Sequence, residues 1–245
     1  MASRGRSAQP LLRTIPLRET RAVGGPVALP LLAGYFGVSL LGWLATSAAL
    51  IVAAPRLAAG DFGAAEPLLA MHLLALAFLP LAVGGGAFHL LPVMLRNRLQ
   101  SERRLVLALP LLALGGWLVA PGVAYDIPSL LWPGAALLAS GFALVLLELG
   151  GLVVRAPRGR MLVASRAGVA LSLFHAVAAL TLGAIVFSNG DPPMLGVSHD
   201  RWVLVHLHLA ALGWLALLIL AVGPPSHPCS PSLRPRSPAA CHSRN

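Results

Sequence analysis

Long apolar stretches alternate with short polar connections along most of the chain. Each stretch has about the 20 apolar residues that an α-helix needs to cross the hydrocarbon core of a bilayer. Period-two alternation is absent, and a helix satisfies its own backbone hydrogen bonds in lipid, so the pattern favours helices over strands. The predicted spans are residues 27–54, 66–95, 105–123, 129–154, 165–188 and 202–223. We therefore expect an all-α polytopic membrane bundle of six helices over residues 27–223.

Composition supports the same class. The chain is 57% hydrophobic and only 11% charged, and its mean hydropathy of +0.81 is not that of a soluble domain. The first apolar stretch begins after Pro26 and is too long for the core of a signal peptide. We interpret it as a retained helix that follows a basic segment, residues 1–26.

Arginines supply the net charge of +10 and also predict the orientation. They cluster before the first span, after the second and after the fourth, whereas the other connections carry few basic residues. The positive-inside rule then places both termini in the cytoplasm of a cell whose inner, or plasma, membrane holds the protein. No aromatic residues are interleaved with the arginines in a soluble segment, so nucleic acid is not an expected partner.

Three histidines lie inside the predicted spans at similar depth. His72 is about 9 Å below the outer end of the second span, at 1.5 Å rise per residue, and His206 and His208 are at comparable depth in the sixth. Ionisable residues at such positions indicate function, because burying them in lipid is costly. The shared depth predicts a metal site, and specifically ligation of haem iron.

His206 and His208 are two residues apart, which separates them by about 200° around a helix. They therefore cannot readily bind one metal from the same face. One can complete an axial pair with His72, while the other faces a second cavity, cofactor or hydrogen-bond partner. Haem propionates near the outer surface could pair with Arg201, or with Arg56, because guanidinium groups suit carboxylates.

These residues carry a family resemblance. The second span resembles the second helix of haem-copper oxidase subunit I, in which the histidine of the low-spin haem is followed by a proline, a glycine pair, an aromatic residue and a Pro-x-Met ending. The matching residues are His72, Pro80, Gly84-Gly85, Phe88 and Pro92-Val93-Met94. The sixth span, with His206-Leu207-His208 and Gly213-Trp214, looks like the His-x-His helix of that family. The resemblance implies that His72 and His208 ligate a low-spin haem and that His206 is a ligand of a high-spin haem.

The sequence lacks several features of that family, and this limits what the resemblance implies. Full oxidase subunits have twelve spans and carry a His-Pro-Glu-Val-Tyr stretch and a His-His pair that hold copper, and this chain has neither motif. The sequence therefore does not support a copper site, and oxygen reduction cannot be inferred from it. Two matching helices do not distinguish between the shorter relatives of the family. These include the nitric oxide reductase branch, the NnrS family and membrane regions attached to bacterial copper oxidases. An oxidoreductase activity of cytochrome oxidase type stays open, as do partner subunits or a redox donor of a respiratory chain.

Other polar residues within the spans have a simpler interpretation. His175 in the fifth span could ligate a metal or relay protons, but a hydrogen bond to a neighbouring carbonyl is favoured. His89 is expected to be structural. Glu148 could relay protons, although hydrogen bonding near the membrane surface is favoured. Gly84-Gly85-Gly86 and Gly115-Gly116 leave room for close helix contact or for a flat porphyrin face.

Residues 224–245 form a tail rich in proline, serine and arginine that is not expected to pack a core. It is either a cytoplasmic tail or the product of a shifted reading frame that has lost later helices. Its two cysteines match no haem-attachment or zinc spacing, and we expect no disulfide.

The sequence thus predicts a haem-binding membrane protein that takes part in electron transfer or in the chemistry of oxygen or nitric oxide. Two alternatives stay open. The same histidines could line the path of a metal-ion transporter for copper or another soft cation, which predicts metal binding without porphyrin. The chain could also be a truncated, nonfunctional product.

Overall fold

The structure is a computed structural model that describes residues 27–95, 97–156, 160–188 and 198–223. These residues form six apolar helices and no strand. Four are uninterrupted: α1 (Leu29–Ala58), α3 (Glu102–Ala124), α4 (Pro128–Arg155) and α5 (Arg160–Ser188). The second, α2, consists of α-helical Ala65–His72, π-helical Leu73–Phe78 and α-helical Leu79–Met94. The sixth, α6, consists of α-helical His199–His208, π-helical Leu209–Ala216 and α-helical Leu217–Val222.

The all-α class and the six predicted spans are confirmed over the described residues. Each helix contains an 18-residue window with a mean hydropathy of 1.9 or more, and each overlaps its predicted stretch. Helices of this length and composition identify a multi-pass membrane protein. The basic segment 1–26 and the tail 224–245 lie outside the described residues.

The chain divides into two compact units, and the first comprises Met1–Pro157 with helices α1 to α4. In it, α3 and α4 form an antiparallel pair whose backbones approach through glycines. A Cβ on Gly115 or Gly122 would overlap the backbone of α4, and a Cβ on Gly134 or Gly141 would overlap α3. Small residues permit this close packing, which stabilises helix pairs where lipid provides no hydrophobic driving force.

Helices α1 and α2 complete the first unit. The hydroxyl of Tyr35 on α1 donates a buried 2.9 Å hydrogen bond to the Leu105 carbonyl of α3, and its ring meets Phe88 of α2 edge-on at 5.2 Å. The turn after α1 contains Gly60 at φ +76°, a left-handed conformation that glycine adopts without steric cost. The aromatic contact joins α1 to α2, while most other buried side chains of this unit are leucine, alanine and valine.

The second unit, Arg158–Asn245, contains the antiparallel hairpin of α5 and α6. The hydroxyl of Ser172 on α5 donates a buried 2.8 Å hydrogen bond to the Trp214 carbonyl, which lies in the π-helical segment of α6. Gly168 of α5 packs against Ala221 at the far end of the pair. These contacts fix the register of the two helices and so determine which residues of the neighbouring helix each histidine contacts.

Candidate functional site

Four histidines in the membrane helices share one hydrogen-bonding arrangement. In each of them the Nδ1 atom lies within hydrogen-bond distance of a backbone carbonyl oxygen. The partners are Leu68 for His72 at 2.8 Å, Leu171 for His175 at 2.7 Å, Ala179 for His206 at 2.9 Å and Leu204 for His208 at 2.7 Å. A carbonyl cannot donate, so Nδ1 carries the proton and a neutral ring has its lone pair on Nε2. This is the tautomer that ligates a metal through Nε2 while a backbone acceptor orients the ring.

His72 and His208 have a second feature in common. The π-helical segment of α2 begins at Leu73, and that of α6 begins at Leu209, so each segment starts directly after one of these histidines. π-Helical turns are rare and are often found at functional sites, since they change the register of the residues around them. The sequence did not predict either segment, because Leu73–Phe78 and Leu209–Ala216 consist mostly of leucine and alanine, which are ordinary helix formers.

Two glycines on neighbouring helices accommodate the π-helical segment of α2. A Cβ on Gly42 of α1 would overlap the carbonyl of Ala77, and a Cβ on Gly116 of α3 would lie 2.6 Å from the carbonyl oxygen of Leu76. The widened backbone after His72 is therefore held between α1 and α3. For Gly115-Gly116 the sequence predicted either close helix contact or room for a flat porphyrin face, and Gly116 makes a close helix contact.

In the second unit, two histidines pack reciprocally on glycines. The ring of His206 on α6 lies over Gly183 of α5, where an added Cβ would be 2.8 Å from its Cε1 atom. The ring of His175 on α5 lies over Gly213 of α6, where an added Cβ would overlap the ring. His206 is half-buried by this packing and bonds across to Ala179, whereas His208 is exposed and bonds within its own helix. The two residues of the His-x-His motif thus have different surroundings.

An open groove of about 630 Å³ runs between α5 and α6, and both His175 and His208 line it. The remaining lining is apolar, with Gly213 as its smallest member; it consists of Leu171, Leu204, Val205, Leu209, Leu212 and Leu217. Ligand sites likewise combine a few polar groups with a mostly apolar lining, although this groove is open along its length. The structure therefore brings together one predicted axial ligand, His208, and the fourth candidate, His175.

The candidate propionate partners occupy exposed positions. Arg201 is in the first turn of α6, seven residues before His208, which places the two on one face at about 10 Å along the axis. Arg56 lies in the last turn of α1 and forms an exposed ion pair of 3.5 Å with Asp61. Arg201 thus extends the face of α6 that lines the groove, while Arg56 already has an acidic neighbour.

Glu148 is fully buried within the first unit and is hydrogen-bonded on both carboxylate oxygens. Its Oε2 accepts from the backbone N–H groups of Gln100 at 2.8 Å and Ser101 at 3.3 Å, and its Oε1 accepts from Arg104 at 2.9 Å. The side-chain amide of Asn97 donates to the Leu152 carbonyl at 3.2 Å nearby. The carboxylate therefore fastens the connection between α2 and α3 to α4, as the hydrogen-bonding interpretation predicted, although its partners lie far away in sequence.

His89 lies in α2, near the end of the helix that the arginine pattern predicts to be cytoplasmic. Its Nδ1 atom is buried and has no hydrogen-bond partner among the residues that the structure describes. This separates His89 from the four histidines described above, each of which has Nδ1 bonded to a carbonyl.

Within the described ranges, no three His, Cys, Asp or Glu side chains converge on a point where they could hold a bare metal ion. The imidazoles of these helices stand singly in mostly apolar surroundings. Comparison of the chain with family models, with curated proteins and with solved structures gave no match.

Proposed function

We propose that this multi-pass protein of the inner membrane binds haem and takes part in electron transfer or in the chemistry of a small gas. The observation that carries the proposal is the shared state of His72 and His208. Each ring is fixed by an Nδ1–H bond to its own helix, and each directly precedes a π-helical segment. In this assignment both rings ligate low-spin haem iron through Nε2.

The residues present fit such a group. Imidazole Nε2 is a common axial ligand of haem, which supplies reversible one-electron redox chemistry. The groove beside His208 is open and apolar, and a low-polarity environment with few hydrogen bonds tunes the potential of a bound redox group. Arg201 would pair with a propionate at the end of α6 that the arginine pattern places near the outer surface.

The protein's own residues then have separate tasks. The carbonyls of Leu68 and Leu204 orient the two ligand rings, and Gly42 and Gly116 support the backbone that follows His72. His206, held by Ala179 and Gly183, is assigned as the ligand of a second haem. With that second haem an open coordination position could bind a gas, and without it the protein is an electron carrier or sensor.

The orientation of the spans belongs to the same proposal. Arginine clusters place both termini in the cytoplasm, so that the connection between α2 and α3, with its bonds to Glu148, faces the cytoplasm. His72, His206 and His208 are then in the outer half of the membrane. An electron donor or partner subunits on the outer side would have the shortest path to them.

The deciding experiment is a pyridine haemochrome assay and a reduced-minus-oxidised spectrum of the full chain purified in detergent. We expect a low-spin spectrum that His72→Ala and His208→Ala each abolish, while His89→Ala, the matched control within α2, retains it. A carbon monoxide-sensitive component lost in His206→Ala would identify the second haem. Retention of haem by both alanine variants would overturn the ligand assignment. Binding of copper without porphyrin would instead favour the transporter alternative.

A further inference from the structure

We propose that the first unit binds the phosphate of an anionic phospholipid where the end of α4 meets the connection between α2 and α3. The donors are the side-chain amide of Gln100 and the guanidinium of Arg155. Both groups lie over Gly151 of α4, where an added Cβ would be 2.8 Å from Nε2 of Gln100 and 3.6 Å from Nη2 of Arg155. The inference depends neither on haem nor on the direction in which the helices cross the membrane.

The amide of Gln100 is oriented by an ion pair behind it. Its Oε1 atom accepts a 3.2 Å hydrogen bond from Nη1 of Arg104, which also donates to Oε1 of Glu148 at 2.9 Å. Because the amide oxygen faces Arg104, Nε2 points away from it and presents two N–H groups. Within the described ranges these N–H groups have no hydrogen-bond partner. The backbone N–H groups of Gln100 and Ser101 already bond to Glu148, so the available donors are side-chain groups.

Arg155 adds an unbalanced positive charge beside this amide. It is the last residue of α4, its side chain is exposed, and it forms no ion pair with any residue that the structure describes. The charge of Arg104, by contrast, is balanced by buried Glu148. An amide and a guanidinium that lie this close together can each donate to a different oxygen of one phosphate. The arrangement is therefore suited to an anion that has several acceptor oxygens.

The surface next to these donors is one that acyl chains would cover. Leu147 and Val154 lie on the same face of α4 as Gly151, since they are four and three residues away, and their side chains are 58% and 77% exposed. Helix α4 is long and apolar enough to cross a membrane, so Arg155 lies where it leaves the hydrocarbon core, close to the lipid phosphates. A bound phospholipid would thus place its phosphate on the donors and an acyl chain along Leu147 and Val154.

The unbalanced charge selects among phospholipids. Phosphatidylglycerol and phosphatidylcholine both contain a phosphodiester, but phosphatidylcholine carries a trimethylammonium group that Arg155 repels. An arginine at the membrane surface favours anionic lipid by about 5-fold in affinity. The ligand class is therefore an anionic phospholipid whose headgroup has no cation.

The test measures lipid retention by the full chain purified in detergent, using native mass spectrometry with added dioleoylphosphatidylglycerol or dioleoylphosphatidylcholine. We expect selective retention of phosphatidylglycerol, and we expect Arg155→Gln to weaken it about 5-fold. Arg103→Gln is the matched control, because it removes an exposed arginine from the start of α3 and should leave retention nearly unchanged. Circular dichroism reports whether each variant keeps its helices.

Two neighbouring glycines of α4 separate the amide contact from general charge. Gly151→Ala would displace the flexible end of the Gln100 side chain, so we expect weaker lipid retention with little change in Tm. Gly150→Ala is its control, since a Cβ there would have nothing within 4 Å. Gln100→Glu keeps an acceptor for Arg104 but replaces the amide donors with a carboxylate oxygen. It should weaken phosphatidylglycerol retention more than Gly151→Ala does.

Three outcomes overturn the inference, and none of them depends on the haem content of the preparation. One is equal retention of the two lipids by the unmodified protein. Another is an equal loss in Arg155→Gln and Arg103→Gln, which would mean that diffuse charge attracts the lipid. The third is calorimetric binding of inorganic phosphate or glycerophosphoglycerol as tightly as phosphatidylglycerol, with the same loss in Arg155→Gln. That result would identify a soluble phosphate as the ligand.

Discussion

The backbone of Gly42 lies directly against the carbonyl group of Ala77, inside the π-helical segment that follows His72. Gly116 makes the equivalent contact with Leu76 from the other side. A helix with a widened turn needs more room than a regular one, and the two glycines supply it. The position of His72 thus depends on residues of two other helices.

Substituting either glycine tests this dependence. Gly42→Ala and Gly116→Ala should each destabilise the protein by about 1–3 kcal/mol, because a methyl group would meet rigid backbone. Gly37→Ala is the matched control, since Gly37 is on α1 and a methyl group added there would have nothing within 4 Å. Thermal unfolding in detergent measures the change. An unchanged Tm in Gly42→Ala would mean that the π-helical segment does not require this contact.

Removing either partner of the Arg104–Glu148 ion pair should destabilise the protein, but removing the arginine should cost more. Arg104→Met leaves a fully buried carboxylate with only backbone donors, at a cost of about 3 kcal/mol. Glu148→Gln keeps an acceptor for the Gln100 and Ser101 amides and should cost less, about 1–2 kcal/mol. Arg103→Met, an exposed neighbour, should have no effect. The prediction fails if Glu148→Gln lowers the midpoint of unfolding more than Arg104→Met does.

Arg201 and Arg56 should differ in their effect on haem. Arg201→Gln removes a guanidinium from the face of α6 that carries His208, and we expect haem loss to become about 10-fold faster. Arg56 is paired with Asp61, so Arg56→Gln should change haem binding much less. Haem transfer to an apoprotein acceptor measures both variants. Equal effects would argue against a propionate contact at Arg201.

The orientation can be tested with the chain's own cysteines. Cys229 and Cys241 are its two cysteines and lie in the tail. A membrane-impermeant maleimide should label them in inside-out vesicles and not in right-side-out vesicles. Ser198→Cys, at an exposed position before α6, should show the opposite pattern once both native cysteines are replaced by serine. Labelling of the tail from the outside would reverse the proposed topology.

Part of the candidate site could be predicted from the sequence. His72, His206 and His208 stand out because histidines are conspicuous in apolar stretches, and the helical angle between His206 and His208 indicates that they differ in surroundings. The rings indeed have different surroundings, one over Gly183 and the other in the groove. Gly213 and Gly183 could not be assigned as ring contacts, because that role depends on the register between α5 and α6.

The sequence by itself determined the all-α class, the membrane environment and the six helices, because apolar length is a local property of the chain. Only the tertiary structure decided that π-helical turns follow His72 and His208 and that His175 shares a groove with His208. It also decided that Glu148 bonds to the amides of residues 100 and 101. Each of these features depends on backbone groups of a neighbouring segment or on the packing between helices. A local pattern of side chains cannot predict such contacts.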